Sequence, residues 1–244
     1  MAVRKDIDRI LRDLPYEPGE ISARLVRAAD RREVVQMRIE MGVLQLEVDH
    51  RPDGTRPGGA ETYFDYLLAL AVHEGDTFVL TEEQCAEVDR EFLQFYHRRI
   101  CWLHLREFRR AARDADHSLA LMDFAKKTSP SEEWTLSHEQ YRPFILFHRT
   151  QATALAVLEE GGPEAAIEEL NQGLERLKSF FVDHDALEHF EDDEMVGKLG
   201  ELKESLREHY KVGRTLTEQL AEAIATERYE LAAELRDEIA RREH

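Results

Sequence analysis

The hydrophobic period of this chain changes once, at the turn-dense stretch RPDGTRPGG over residues 51–59. Before it, apolar and polar residues alternate. Ile21, Ala23 and Leu25 interleave with Ser22 and Arg24, and Val35, Met37, Ile39 and Met41 interleave with Gln36, Arg38 and Glu40. Period 2 is the signature of a strand with one buried face. The phase shifts near Gly42, where Val43, Leu44, Leu46 and Val48 follow, which reads as a bulge or bend. Residues 29–32 read as a hairpin turn. A small antiparallel sheet of two or three strands follows from this pattern. A helix precedes it, carried by Val3, Ile7, Ile10, Leu11 and Leu14 and ended by Pro15.

After Ala60 the period is helical throughout. A short apolar helix spans 62–73. Thr81, followed by Glu82, Glu83 and Gln84, reads as an N-cap with an acidic first turn. The helix it starts runs to about Leu105, breaks at Arg106-Glu107 and resumes from Phe108 to about Lys127. Ser129-Pro130 stops it, Ser131 starts another helix, and a long one runs over 137–160. Gly161-Gly162 then caps it, and Pro163 opens the next, which ends near Val182. Two helical hairpins, 82–127 and 137–182, thus stand in series, each with an Ala pair early in its second helix: Ala111-Ala112 and Ala165-Ala166. They resemble tetratricopeptide (TPR) helix pairs, although the Ala pairs are 54 residues apart rather than the roughly 34 of a tandem array. Residues 183–208 hold ten acids against three bases, and Leu199, Leu202, Leu206 and Tyr210 mark a solvated bridging helix.

The fold class expected is therefore mainly α, with TPR-like helical hairpins, a small N-terminal antiparallel β element and a C-terminal helical hairpin. The expected domains are 1–59, 60–212 and 213–244.

Composition removes several function classes. The 33 Lys and Arg against 51 Asp and Glu leave a net charge of −18, whose field repels phosphate backbones. Two cysteines, Cys85 and Cys101, are too few for a disulfide framework and suit a reducing compartment. The charged N-terminal segment has no signal-peptide core, and the longest apolar run, 66–72, is far short of a membrane span. The expectation is a soluble, cytoplasmic protein.

The end of the chain, LTEQLAEAIATERYELAAELRDEIARREH, divides into two apolar stripes. Leu216, Leu220, Ala223 and Ile224 form the first. Tyr229, Ala232, Ala233, Arg236 and Ile239 lie along one face of the second, with Leu235 beside it, and the polar Thr226-Glu227-Arg228 turns the chain between them. A hairpin of about 29 residues buries too little apolar surface to stand alone, so its remaining face needs a partner. In the order Leu220, Ala223-Ile224, Glu227, Tyr229-Glu230, Ala232-Ala233, Leu235-Arg236-Asp237 and Ile239, this segment resembles the UVR motif of the excision-repair proteins UvrB and UvrC, which ClpC-type chaperones and McsA-type activators also carry. The resemblance covers about 25 of 244 residues. It implies a hairpin that mediates protein–protein contact or dimerisation. Leu220, Ile224, Tyr229, Ala233 and Ile239 would then be the packing set, with Glu227, Glu230, Arg236 and Asp237 the polar pattern around it. Neither the GxxxxGK[ST] loop and helicase motifs of UvrB, nor the nuclease signature of UvrC, nor the CxxC pairs of McsA-type proteins can be placed here. The remainder is similar, less closely, to bacterial UVR-motif proteins of unassigned role that share a GVLQLEVDHRPDGTRPGG-like stretch.

Few other residues suggest chemistry. His97, Cys101 and His104 share one helix face at i, i+4 and i+7 and are candidate metal ligands, although a buried cysteine on an apolar helix is ordinary core. Asp114 and His117 form an acid-x-x-His pair without the second pair a di-iron bundle requires, and the default is an exposed i,i+3 contact. Residues 90–113 hold seven arginines against two glutamates, interleaved with Phe95, Tyr96, Trp102 and Phe108. Arg98, Arg99, Arg109 and Arg110 are the candidates for nucleic-acid contact, with pairing to the acidic 183–208 segment as the favoured alternative. The Asp53-Gly54 turn reads as a plain turn, with a binding loop as the alternative.

The function these readings support is a non-enzymatic adaptor or scaffold that needs no cofactor. It binds another protein, or a second copy of itself, through 214–244, by way of Leu220, Ile224, Tyr229, Ala233, Arg236 and Ile239. The alternatives are a nucleic-acid-linked accessory protein of the DNA-damage response and a metal-dependent enzyme. Neither nucleic acid nor a membrane is the expected partner.

Overall fold

The computed structural model describes residues 6–242. They form two compact units, divided between Arg149 and Thr150.

The first unit opens with helix α1 (Asp8–Asp13), which stops before Pro15. Val3, the first residue of the expected helix, lies outside the described residues. Three strands follow, β1 (Ala23–Arg27), β2 (Glu33–Ile39) and β3 (Gly42–Glu47), in one antiparallel sheet of order β1-β2-β3. Ile39 pairs with Gly42, so Glu40 and Met41 are the whole loop. The phase change near Gly42 is thus a tight hairpin turn, not a bulge: a two-residue loop resets which face each residue occupies. The register aligns Leu25, Val35 and Leu46 on one face, with Ala23, Met37 and Leu44 beside them. On the other face Gln36 bridges the strands, accepting from Arg24 at 2.8 and 3.0 Å and donating to Gln45 at 3.2 Å.

Helix α2 (Tyr63–Glu74) is N-capped by Thr62. Helix α3 (Glu82–His104) starts in the capping box read from its sequence, Thr81 with Gln84. Arg106, at φ 60°, makes the left-handed turn into α4 (Phe108–Thr128). Tyr63, Leu67, Phe78, Leu80, Cys85, Val88 and Leu121 bring α2, α3 and α4 into one core. Ser131 caps α5 (Glu132–Glu139), and α6 (Arg142–Gly161) spans the division between the units. The start expected near Ser137 for the long helix therefore moves to Arg142, after α5 has ended at Glu139. Pro143 supplies the reason: it lacks an N–H and is tolerated only in a helix's first turn. Arg142 holds the break, reaching Glu139 at 2.7 Å and Asp123 at 2.8 Å.

In the second unit, Gly162 (φ 86°) and Pro163 open α7 (Pro163–Asp183). Its Gly173 is buried where a Cβ would overlap the Thr150 side chain, so a glycine lets the two backbones approach. Asp193 caps α8 (Glu194–Tyr210). This helix packs against α7 and buries Val196, Leu199 and Leu206. The solvated bridge expected for 183–208 is thus corrected: its C-terminal part has an apolar face in the core. Two short helices, α9 (Leu216–Ala225) and α10 (Tyr229–Arg242), end the chain. Among the described residues no helix is long and apolar enough to cross a membrane.

Candidate functional site

The last two helices form a hairpin with two distinct ends. At its base, Thr215 and Glu218 build a second capping box. Glu218 is the hub there. It accepts from the Thr215 backbone at 2.9 Å, from Arg207 of α8 at 2.7 Å and from Asn171 of α7 at 3.2 Å. Burial would raise its pKa, but these donors outweigh burial and hold the carboxyl below its ordinary value. Thr215 in turn donates to Glu168 of α7. The base is therefore bound to α7 and α8 through polar contacts.

The inner face of the hairpin is closed by Ala223, Ala232 and Leu235, with Leu216 and Leu220 packed against them. Small residues at this crossing let the helices approach closely. At the far end Glu227, at φ 58°, reverses the chain, and Arg228 donates its backbone N–H to Ala223. Two large apolar side chains flank this turn in the open: Ile224 is 54% exposed and Tyr229 is 67% exposed.

This geometry revises the expected packing set. Leu220 packs inward as expected, and Ile239 is half-buried. Ala233 is exposed, and Ala232 takes the inner position. Arg236 is exposed and bonded to its neighbour Asp237. Ile224 and Tyr229 contribute to the surface at the tip rather than to the hairpin's own core.

The arginines of 90–113 are mostly structural. Arg98 is buried and holds Asp114 with two bonds, Nε at 2.8 Å and Nη2 at 2.7 Å, while its Nη1 donates to the Glu47 and His50 carbonyls. Arg99 is buried too, donating to Ser118 and His148. Arg110 lies over the Trp102 ring and pairs with Glu107, and Arg113 pairs with Asp49. The pairing expected with 183–208 is thus replaced, for Arg98 and Arg110, by carboxylates close by in the first unit. Arg109 is exposed on α4 and engaged in contacts of its own.

Asp114 and His117 are not an exposed pair. Asp114 is fully buried with Arg98. His117 stacks on Phe95 and bonds Glu91 at 3.0 Å. Glu91, also fully buried, accepts the N–H groups of Tyr63 and Phe64 at 2.7 and 3.0 Å, so a carboxylate on α3 satisfies the start of α2. Arg51 lies 3.5 Å from Glu91 and 2.9 Å from Glu87, and Gln94 donates to Asp53. The loop at 51–54 is thereby clamped to α3. A lone Arg in a turn and a lone Glu in an arginine-rich helix gave no local sign of this network.

The proposed metal ligands are differently placed. Cys101 is fully buried, His97 half-buried and His104 exposed. Burial pushes the Cys101 thiol up to about 12, away from the thiolate a metal requires. Among the described residues no three His, Cys, Asp or Glu side chains are grouped to hold a metal.

A family model described as UvrB/uvrC motif matches residues 212–243, the stretch that contains α9 and α10. The chain carries a UVR motif. The described geometry belongs to that motif: base tied to α7 and α8, inner face closed, tip apolar and open. No curated protein and no solved structure matches the chain, so the wider resemblance expected for the remainder has no support beyond the UVR hairpin.

Proposed function

We propose that this chain is a non-enzymatic adaptor that docks another protein, or a second copy of itself, through the tip of its UVR hairpin. The observation that carries the reading is the exposure of Ile224 and Tyr229 beside a turn whose inner face is already filled by Ala223, Ala232 and Leu235. Large apolar groups at a convex tip are typical anchors of a small interface. The packed pair of α3 with α4 supplies a TPR-like surface for a further partner. Two free, buried cysteines suit a reducing cytoplasm. Pull-down with the full chain and with a chain ending at residue 213 tests the reading: the partner is recovered only when the hairpin is present.

A second reading, an accessory protein of DNA repair, is supported by the family to which the motif belongs. It requires DNA or a repair protein among the partners, and DNA affinity that falls steeply with salt would favour it.

A further inference from the structure

We propose that the first unit contains a binding site for a small-molecule monocarboxylate with an apolar body, its head group seated on Arg99. This site is independent of the hairpin reading.

The site is a cavity of about 680 Å³ lined by α3, α4, α5 and the start of α6. That size falls in the range of small-molecule sites, about 300–1,000 Å³. Its walls are apolar and aromatic, built by Phe92, Tyr96, Met122, Phe144 and Ile145. A cavity of this kind binds the body of a ligand by excluding water, and the few polar groups in it decide what the ligand's head must be.

Arg99 is the cationic group among them. It is 2% exposed and lines the cavity. Its Nε donates to His148 Nδ1 at 3.3 Å and its Nη1 to Ser118 Oγ at 3.1 Å. Both acceptors are uncharged. His148 accepts at Nδ1, so it is neutral, and burial together with the Arg99 charge pushes its pKa down to about 3. Nη2 makes neither of these bonds. Asp114 attracts Arg99 through space, but both of its oxygens accept from Arg98.

Arg98, Asp114 and Arg99 together therefore leave one buried positive charge without an ion pair of its own. Burying such a charge is expensive unless an anion meets it. The planar guanidinium matches a carboxylate better than it matches a compact ion. One negative charge balances the site, whereas a phosphate dianion leaves an excess. Asp89 also lines the cavity, ten residues earlier on α3 and so about 15 Å away along the helix. It is bonded by Trp134 at 3.1 Å and His138 at 2.9 Å. A carboxylate at that end disfavours a second anionic group on the ligand. The fitting ligand is thus charged at one end only.

Calorimetric titration of the full chain tests this with three probes: dodecanoate, dodecanol as the neutral analogue, and inorganic phosphate as an anion without a body. We expect dodecanoate to bind in the micromolar range, at least tenfold tighter than dodecanol, and phosphate to give no heat. Arg99→Met should weaken dodecanoate at least tenfold and leave dodecanol unchanged. Because Arg99 is buried, that variant can fail to fold. Leu93→Glu changes a half-exposed residue of the cavity lining and keeps Arg99 intact. It should weaken dodecanoate at least fivefold with unchanged circular dichroism, and it decides the matter if Arg99→Met does not fold. Absence of dodecanoate binding, equal affinity for dodecanol, phosphate binding, or dodecanoate affinity indifferent to the folded variants would each overturn the proposal.

Discussion

Arg207 Nη2 meets Glu218 Oε1 at 2.7 Å, and this ion pair joins α8 to the first turn of the UVR hairpin. Both side chains are about four-fifths shielded from water. The hairpin is thus fixed at one end by charge and hydrogen bonds, while its other end carries the exposed apolar pair. A docking element benefits from this arrangement, because a fixed base lowers the entropy lost when the tip binds.

Glu218→Gln keeps the capping box, since Gln serves at that position, but removes the ion pair. We expect a loss of about 1 kcal/mol at neutral pH. The folded pKa of Glu218 is held below the ordinary 4.5. Its contribution is therefore present above that value and is lost as pH falls through the depressed folded pKa. Urea unfolding of both proteins at pH 7 and in steps below 4.5 checks this: the two curves should converge in acid.

Asp114→Ala strands Arg98 in the core. Breaking a buried pair by removing one partner typically costs about 3–5 kcal/mol. Urea unfolding should show a loss of that size, much larger than for Glu107→Ala, whose pairing with Arg110 is partly exposed.

Much of the fold was legible because its signals are local. The alternation of Val35, Met37 and Ile39, the Thr81 capping box and the Gly162-Pro163 boundary are each decided within a few residues. Pro143 was equally local, and it should have moved the start of the long helix from Ser137 to Arg142. The hairpin's inner face was harder. Ala232 and Ala233 are adjacent and equally small, so spacing alone does not say which faces α9. The contacts of Arg51 with Glu91 and of Arg98 with Asp114 and the Glu47 carbonyl were not legible at all, because the partners lie 16 to 51 residues apart and meet only after α2, α3, α4 and the sheet have packed. The cavity at Arg99 was hidden for the same reason.

Gly173→Ala places a methyl group against Thr150, whose side chain is fully buried. Overpacking of this kind costs about 1–3 kcal/mol. The variant should lower the thermal midpoint, and adding Thr150→Gly should restore part of the loss relative to Thr150→Gly alone.

The burial of Arg98 and Arg99 removes two of the four arginines considered for nucleic-acid contact from the surface. With a net charge of −18, the full chain should bind neither duplex nor single-stranded DNA measurably at physiological salt. Fluorescence anisotropy over a salt series is the check. Micromolar binding with a steep salt slope would favour the repair-linked reading.

The central claim is that the hairpin tip docks a protein. Ile224 is exposed, so Ile224→Asp should leave the thermal midpoint of the isolated chain unchanged while burying an unpaired charge in any interface formed there. The direct measurement is a quantitative pull-down from cell extract with tagged wild type and tagged Ile224→Asp, counting the untagged chain itself among the proteins recovered. The account predicts at least one protein enriched by wild type and depleted tenfold or more by the folded variant. Identical recovery by the two proteins would contradict it.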